Sequence, residues 1–253
     1  MAVAQVVVGN VNNKHMLQNI QLKNILVLDI ETVSQQSNYS ELDDEWQELW
    51  NKKTNLLNTQ EKTPSQVYDR AAIYAEFGKI VCIGLGVFYA ENEETKLKVK
   101  AISGDNEKEI LEEFAHLLNT KFNTSNHILA AHNGKEFDFP FICRRMLING
   151  IQIPAILDIA GKKPWEINHL DTMELWKFGD YKNYTSLNVL AKCFGIPSPK
   201  DDIDGSLVGY TYWQQNDLER IGTYCKKDIV TTAQIIMKYK GVSLIANNNI
   251  TIE

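Results

Sequence analysis

The chain has 253 residues, of which 44% are apolar and 23% charged, with a formal net charge of −6. This composition predicts a globular protein with enough chain for one large α/β domain or two small ones, and no apolar run approaches the ~20 residues that cross a bilayer. A negative charge argues mildly against a nucleic-acid partner, although two bound divalent cations would bring it to about −2. Four widely spaced cysteines without a CxxC pair favour the reduced thiols of a cytoplasmic protein.

The first part of the chain predicts an N-terminal extension followed by three strands. Residues 1–23 have a short apolar stretch without a basic start, which favours an extension over a signal peptide. The run "NILVLDI" at residues 24–30 predicts a buried central strand. Two further strands, "KIVCIGLGVFYA" and "KLKVKAIS", are expected to pair as a hairpin through "ENEET". The insertion at 34–78 between the first two strands is long enough to indicate a functional segment or a lid.

The rest of the chain alternates helices with short strands. The amphipathic helix "NEKEILEEFAHLLNTKF", the buried strand "HILAAHN" and the helix "DFPFICRRMLING" come first. They are followed by "NHLDTMELW" as a fifth strand or its edge, the helix "SLNVLAKCFGI" and a long helix at about residues 217–239. This order predicts an α/β fold with a mixed sheet of about five strands and helices on both faces. We expect one domain at 24–240 and a C-terminal tail at 241–253.

Four carboxylates lie in three separated blocks of apolar sequence: Asp29, Glu31, Asp138 and Asp228. An unpaired carboxylate is costly to bury beside apolar residues. Four that converge would also repel one another unless cations bound between them, and hard divalent ions with oxygen ligands satisfy such a cluster. The sequence therefore predicts a magnesium- or manganese-dependent hydrolase.

Each acidic block also has a simpler structural interpretation. Asp29 and Glu31 are two apart on a strand and share a face, but a strand-end aspartate followed by a solvated glutamate gives the same pattern. Asp138 follows a strand where ligands often bind in open α/β sheets, although an aspartate there is also a good helix N-cap. Tyr224 and Asp228 are four apart on a helix, which also suits a purely structural pair.

Taken together, the blocks resemble a known family. The strings "VLDIET", "EFGKIVCIG", "HNGKEFDFPFI", "GIPSPKDDIDGS" and "YCKKDIVTT" run over nearly the whole chain. They resemble the DnaQ-like 3′–5′ exonucleases with an RNase H-like fold, in the branch whose third block reads Tyr-x-x-x-Asp. Within that superfamily the chain is most similar to stand-alone exonucleases related to the proofreading domain of family-B DNA polymerases.

The resemblance implies a two-metal 3′–5′ exonuclease that removes nucleoside 5′-monophosphates from single-stranded or frayed DNA. Asp29, Glu31 and Asp228 would hold the tighter Mg²⁺ or Mn²⁺ ion, with Asp29 bridging to a second ion that Asp138 supports. The ions would activate water and stabilise charge on the attacking and leaving oxygens. Tyr224 would position that water by hydrogen bonding, since a tyrosine with an ordinary pKa near ~10 is a weak base at neutral pH.

The resemblance also implies substrate contacts from Thr32, Asn133, Phe137 and Lys200. Phe137 could stack on a terminal base or belong to the core, and the loop of Lys200 could be a plain polar turn. Work in DNA repair, or proofreading beside a DNA polymerase, would suit such an enzyme. Two alternatives remain open at this point: the same chemistry on RNA 3′ ends, and an inert nucleic-acid-binding module.

Overall fold

A computed structural model describes residues 17–57, 62–180, 182–197 and 203–253. Its sheet has six strands in the order β5-β4-β1-β2-β3-β6. The strands are β1 Ile25–Ser34, β2 Gly78–Glu91, β3 Glu94–Ser103, β4 Ile128–Ala131, β5 Leu170–Asp171 and β6 Ile250–Ile252. The described residues form the helices α1 Asp44–Leu56, α2 Glu107–Lys121, α3 Asp138–Ile148, α4 Thr172–Lys177, α5 Leu187–Cys193, α6 Val208–Trp213 and α7 Leu218–Tyr239.

The sheet is mixed and covered by helices on both faces. β2 pairs antiparallel with β1 and β3, whereas β4 runs parallel to β1 and β5. Leu26 and Leu28 of β1 belong to the core cluster that includes α2 and α3, while Ile25 and Val27 belong to the cluster that includes α7. This alternation follows from the two-residue period of a strand. The predicted α/β class is confirmed, with six strands in place of about five.

The sixth strand comes from a segment that the sequence had assigned to a C-terminal tail. β6 pairs parallel with β3 at the edge of the sheet, so residues 250–252 are part of the sheet. The preceding segment is tied to α7, because the Gln234 side chain donates to the Ile245 carbonyl at 2.8 Å and accepts from its amide at 2.9 Å. A three-residue strand after "ANNN" is too short to show a hydrophobic period, so this strand could not be predicted from sequence alone.

The insertion at 34–78 carries a small core of its own. α1 and a 3₁₀ segment at Ser65–Ile73 pack around Trp50, which is fully buried. The Trp50 ring lies 5.7 Å from the ring of Tyr68 and 5.2 Å from that of Phe77. Aromatic pairs at these distances stabilise a cluster beyond the area they bury. The insertion is therefore a packed unit at the C-terminal end of β1.

Two glycines of β2 let α7 lie close against the sheet. A Cβ atom at Gly84 would lie 2.7 Å from Cys225 Sγ, and one at Gly86 would lie 2.6 Å from Ile229 Cγ2. A side chain at either position would push the helix outward. Since Gly84 pairs with Asp29 across the β1–β2 ladder, the same close approach brings Cys225 next to Asp29.

We expect Gly86→Ala to lower the free energy of unfolding by about 1–3 kcal/mol, because the added methyl overpacks the contact with Ile229. Urea unfolding would measure this change. Gly104→Ala is the matched control, since the nearest atom to its added Cβ lies 3.8 Å away. Equal stability of the two variants would contradict the close packing of α7 on β2.

Within the described residues, no helix combines the length and apolarity that crossing a membrane requires.

Candidate active site

β1 supplies Asp29 and Glu31 on the face of the sheet that α7 covers. The two residues continue the odd-numbered register of Ile25 and Val27, whose side chains pack in the α7 cluster. Glu31 is 7% exposed and Asp29 is partly buried. The β1–β2 pairing shifts between Glu31 and Thr32, and a β-bulge of this kind is common beside active sites because it re-aims neighbouring side chains.

Asp138 reaches the same place from α3. The parallel pairing of β4 with β1 puts their C-terminal ends at one edge of the sheet, and the turn after β4 leads into α3. Asp138 is 3% exposed, and its Oδ1 accepts a hydrogen bond from the backbone N–H of Ile30 at 3.1 Å. That amide lies between Asp29 and Glu31. Phe137 occupies the N-cap position of α3, so the alternative interpretation of Asp138 as a helix cap is wrong.

α7 contributes Tyr224, Cys225 and Asp228 on one side of the helix. The Tyr224 hydroxyl donates to the Asp228 carboxylate. Burial is the largest cause that raises the pKa of Tyr224 well above its usual value, followed by the charges of Asp228 and Glu31 and by this hydrogen bond. The Cys225 thiol lies 3.4 Å from Asp29 Oδ2. The positions of these side chains follow from the helical period, since residues 224 and 228 lie one turn apart.

Burial and neighbouring charges raise the pKa values of Asp29, Glu31 and Asp138. For Asp29 burial is the largest cause, followed by the charges of Asp138 and Asp228. For Glu31 burial again comes first, followed by the charges of Asp29 and Asp228. Burial raises the pKa of Asp138 to about 7. Raised pKa values in a cluster of like charges mean that ionisation is opposed until cations compensate it.

The donor atoms that lie closest together include one that the sequence analysis did not select. Among the described residues, the atoms of Asp29, Glu31 and Cys225 lie within 4.8 Å of one another and could hold a metal ion. The thiol can lie this close because it donates a hydrogen bond to Asp29, whereas Asp29 would repel a carboxylate at the same position. Cys225 stands next to Tyr224 in the third block. The sequence carries no signal for this position, because only the fold brings Gly84 of β2 against Cys225.

Asp171 is a second residue that the sequence analysis missed. It is 3% exposed and caps α4 by accepting from the amides of Met173 and Glu174. It also accepts from Asn133 N at 3.0 Å and Lys135 N at 3.1 Å, so it fixes the turn that leads from β4 to Asp138. Its charge contributes to the raised pKa of Asp138. The string "LDT" before a helix was the available signal of a cap.

The predicted substrate contacts lie in different surroundings. Thr32 follows Glu31 at the bulge and is partly exposed. Asn133 has a positive φ of 65°, and its Oδ1 is buried without a hydrogen-bond partner among the described residues. Phe137 packs 5.4 Å from the ring of Phe141, at the rim of the core. Lys200 lies outside the described residues. All four assignments stay predictions.

A family model described as "Predicted 3'-5' exonuclease related to the exonuclease domain of PolB" matches residues 73–247. The chain belongs to this family. The matched residues include Asp138, Tyr224 and Asp228, and the fold brings Asp29 and Glu31 of β1 beside them from outside the match. The predicted membership of the DnaQ-like 3′–5′ exonuclease superfamily is thereby confirmed. A search of curated protein sequences found no match.

Solved structures that superpose on this chain share little sequence identity with it. The family-B DNA polymerase of the hyperthermophilic archaeon Pyrobaculum calidifontis is 15% identical with a TM-score of 0.45 over 84% of this chain, which spans 24% of the length of the polymerase. The RNase domain of the yeast Pop2 protein is 12% identical with a TM-score of 0.42, over 93% of this chain and 83% of that domain. The family assignment rests on the family model.

Proposed function

We propose that the protein is a metal-dependent 3′–5′ exonuclease acting on single-stranded or frayed DNA 3′ ends. The observation that carries this proposal is the meeting of Asp29, Glu31, Asp138 and Asp228 from β1, α3 and α7. Burial and neighbouring charges raise the pKa values of the first three. An end-processing role in DNA repair, or proofreading in trans beside a DNA polymerase, fits this activity and is part of the proposal. Family membership supports the reaction class.

The donor chemistry of the cluster suits two divalent cations such as Mg²⁺ or Mn²⁺. Asp29, Glu31 and Asp228 would hold one ion, and Asp29 with Asp138 the other; hard cations prefer carboxylate oxygens. When bound, the ions supply activation of the attacking water and compensation of charge on the attacking and leaving oxygens. The hydrogen bond from Ile30 N to Asp138 fixes one carboxylate before any ion binds, which reduces the cost of assembling the site.

In the proposed reaction, water adds to the phosphorus of the 3′-terminal nucleotide and the bond to the O3′ of the preceding nucleotide breaks. The products are a nucleoside 5′-monophosphate and a strand shortened by one residue, whose O3′ takes up a proton. The Tyr224 hydroxyl keeps its proton, since burial and the negative charges around it raise its pKa. It therefore acts as a hydrogen-bond donor that orients groups near Asp228, and not as a base.

The test is digestion of a 5′-labelled single-stranded oligonucleotide with Mg²⁺ or Mn²⁺, compared with the same strand carrying a phosphorothioate at its last linkage. We expect a ladder that shortens from the 3′ end, release of mononucleotides, and arrest by the phosphorothioate or EDTA. Asp29→Ala should remove the activity, and Asp44→Ala, an exposed aspartate on α1, is the matched control. Wild-type protein no more active than Asp29→Ala would overturn the proposal. A matched RNA strand in the same assay shows the preferred polymer.

Tyr224→Phe is expected to lower kcat by about 10²-fold, because the variant loses the hydroxyl that donates to Asp228 and orients the reacting groups. Mn²⁺ affinity, measured by calorimetry on the same preparation, should stay close to the wild-type value because no carboxylate changes. A kcat equal to that of the wild type would remove Tyr224 from the mechanism. A large loss of Mn²⁺ affinity would instead make it a structural support for the metal ligands.

A further inference from the structure

The Cys225 thiol of α7 is in direct contact with the Asp29 carboxylate of β1. Cys225 is fully buried, and its Sγ lies 3.4 Å from Asp29 Oδ2 and 3.7 Å from the backbone carbonyl oxygen of Asp29. The carboxylate oxygen is the nearer acceptor, and its charge makes it the stronger one. A donor held against one oxygen restricts the rotation of the Asp29 carboxylate about its Cβ–Cγ bond.

Packing against β2 fixes the position of this thiol. A Cβ atom at Gly84 would lie 2.7 Å from the sulfur of Cys225 and 3.3 Å from its backbone oxygen, so the sulfur rests directly against the strand. Cys82, which is also fully buried on β2, is hydrogen-bonded to the Cys225 thiol. Because protein interiors are close-packed, a side chain confined in this way does not move freely away from Asp29.

A thiol suits this position because it donates a hydrogen bond without adding charge. Burial, followed by the charges of Asp138 and Asp228, raises the pKa of Asp29, whereas the hydrogen bond from Cys225 lowers it. The thiol therefore favours the ionised carboxylate, which is the form that a hard cation binds. A lysine at the same place would neutralise Asp29 and compete with the cations for it.

We propose that Cys225 is a positioning residue of the exonuclease site, whose thiol holds the Asp29 carboxylate in the orientation that binds the divalent cations. Cys225 acts through Asp29 and touches neither the substrate nor the reacting atoms. The inference rests on the proposed exonuclease function and assigns a role to the residue that follows Tyr224 in the third acidic block. Partners that orient a metal ligand in this way are typically worth about 10–100-fold in metal affinity or activity.

The experiment compares a variant that removes the donor, Cys225→Ala, with one that keeps a donor, Cys225→Ser. Calorimetry measures Mn²⁺ binding to the substrate-free protein, and the oligonucleotide digestion gives kcat and KM. We expect Cys225→Ala to weaken Mn²⁺ binding and to lower kcat by about tenfold each, the low end of the range because a thiol is a weak donor. KM should change little, since no contact with the substrate is lost. Cys225→Ser should restore most of both values.

A matched control and a melting curve separate positioning from packing. The Cys143 thiol on α3 also donates over 3.4 Å, but to the Leu157 carbonyl oxygen, so Cys143→Ala should keep the wild-type Mn²⁺ affinity and kcat. If Cys225 only filled the space beside Gly84, both Cys225 variants would melt at a lower temperature in EDTA and would bind Mn²⁺ as the wild type does. That pattern, or a Cys225→Ser variant as impaired as Cys225→Ala, would overturn the positioning role.

The wild type alone gives a further readout should a variant fold poorly. A thiolate bound to Co²⁺ produces a charge-transfer band in the near ultraviolet, whereas a thiol that donates to Asp29 produces none. We expect the protein to bind Co²⁺ without this band, and its appearance would make the sulfur a metal ligand and overturn the inference.

The outcomes distinguish the two proposals. A wild type that degrades the oligonucleotide, with equal Mn²⁺ affinity and kcat in Cys225→Ala, overturns the role of Cys225 and leaves the exonuclease function standing. A wild type that neither binds Mn²⁺ nor degrades the oligonucleotide overturns both.

Discussion

Asp138→Asn is expected to lower the rate of 3′-end hydrolysis by at least about 10³-fold, while the metal-free protein becomes more stable above neutral pH. The rate falls because the substitution removes one negative charge from the cluster that would hold the cations. Bound cations stabilise the transition state by several kcal/mol. The gain in stability follows because burial raises the pKa of Asp138 to about 7, so ionising it in the folded state is unfavourable. The oligonucleotide digestion and a thermal melt in EDTA measure the two effects.

Asp138→Ala is the informative comparison. Asparagine keeps an oxygen that can accept from Ile30 N, which Asp138 Oδ1 now does at 3.1 Å. Alanine removes the charge and leaves that buried amide without its acceptor, at a cost of about 1–3 kcal/mol. Both variants should be inactive, but the alanine variant should melt at a lower temperature than the asparagine variant. Equal melting temperatures, or an active asparagine variant, would contradict the role assigned to Asp138.

The sequence was sufficient to predict the parts of the fold with a strong hydrophobic period. The apolar members of α7 recur at helical spacing, and the helix was expected at about 217–239 and forms at Leu218–Tyr239. β1 was likewise predicted from its apolar run. Asp29 and Glu31 are two residues apart on this strand and therefore lie on one face. These elements carry most of the candidate site, which explains why the sequence alone indicates its carboxylates.

The features that the sequence did not reveal depend on contacts between distant segments. Cys225 lies at the cluster because Gly84, about 140 residues earlier in the chain, allows α7 to approach β1. Asp171 was read as part of a strand edge, and its function as an acceptor for the Asn133 and Lys135 amides depends on the pairing of β5 with β4. β6 has no pattern of its own and exists through its pairing with β3. Composition and spacing carry no signal for such pairings.

The free energy of unfolding of the metal-free protein is expected to fall as the pH rises from about 4 to about 7. In the unfolded chain Asp138 ionises near its ordinary value of 3.8, whereas in the folded protein its pKa is about 7. Between these values the unfolded state binds fewer protons than the folded state, so stability decreases with rising pH. At about 1.4 kcal/mol for each pKa unit, Asp138 alone corresponds to a loss of at most about 4 kcal/mol. Asp29 and Glu31 shift in the same direction.

Divalent cations should reverse this loss, and by more at high pH than at low pH. The unfavourable ionisation becomes favourable once Mn²⁺ occupies the cluster, whereas below about pH 5 protons compete with the ion for the same oxygens. Saturating Mn²⁺ should therefore raise the free energy of unfolding strongly near pH 8 and weakly near pH 5. In EDTA, the free energy of unfolding of Asp138→Asn should depend less on pH than that of the wild type. A metal-free stability that rises between about pH 4 and pH 7, or a Mn²⁺ effect independent of pH, would mean that the carboxylates do not act as one charged cluster. Urea titrations at a series of pH values, with and without Mn²⁺, measure both quantities on the same protein.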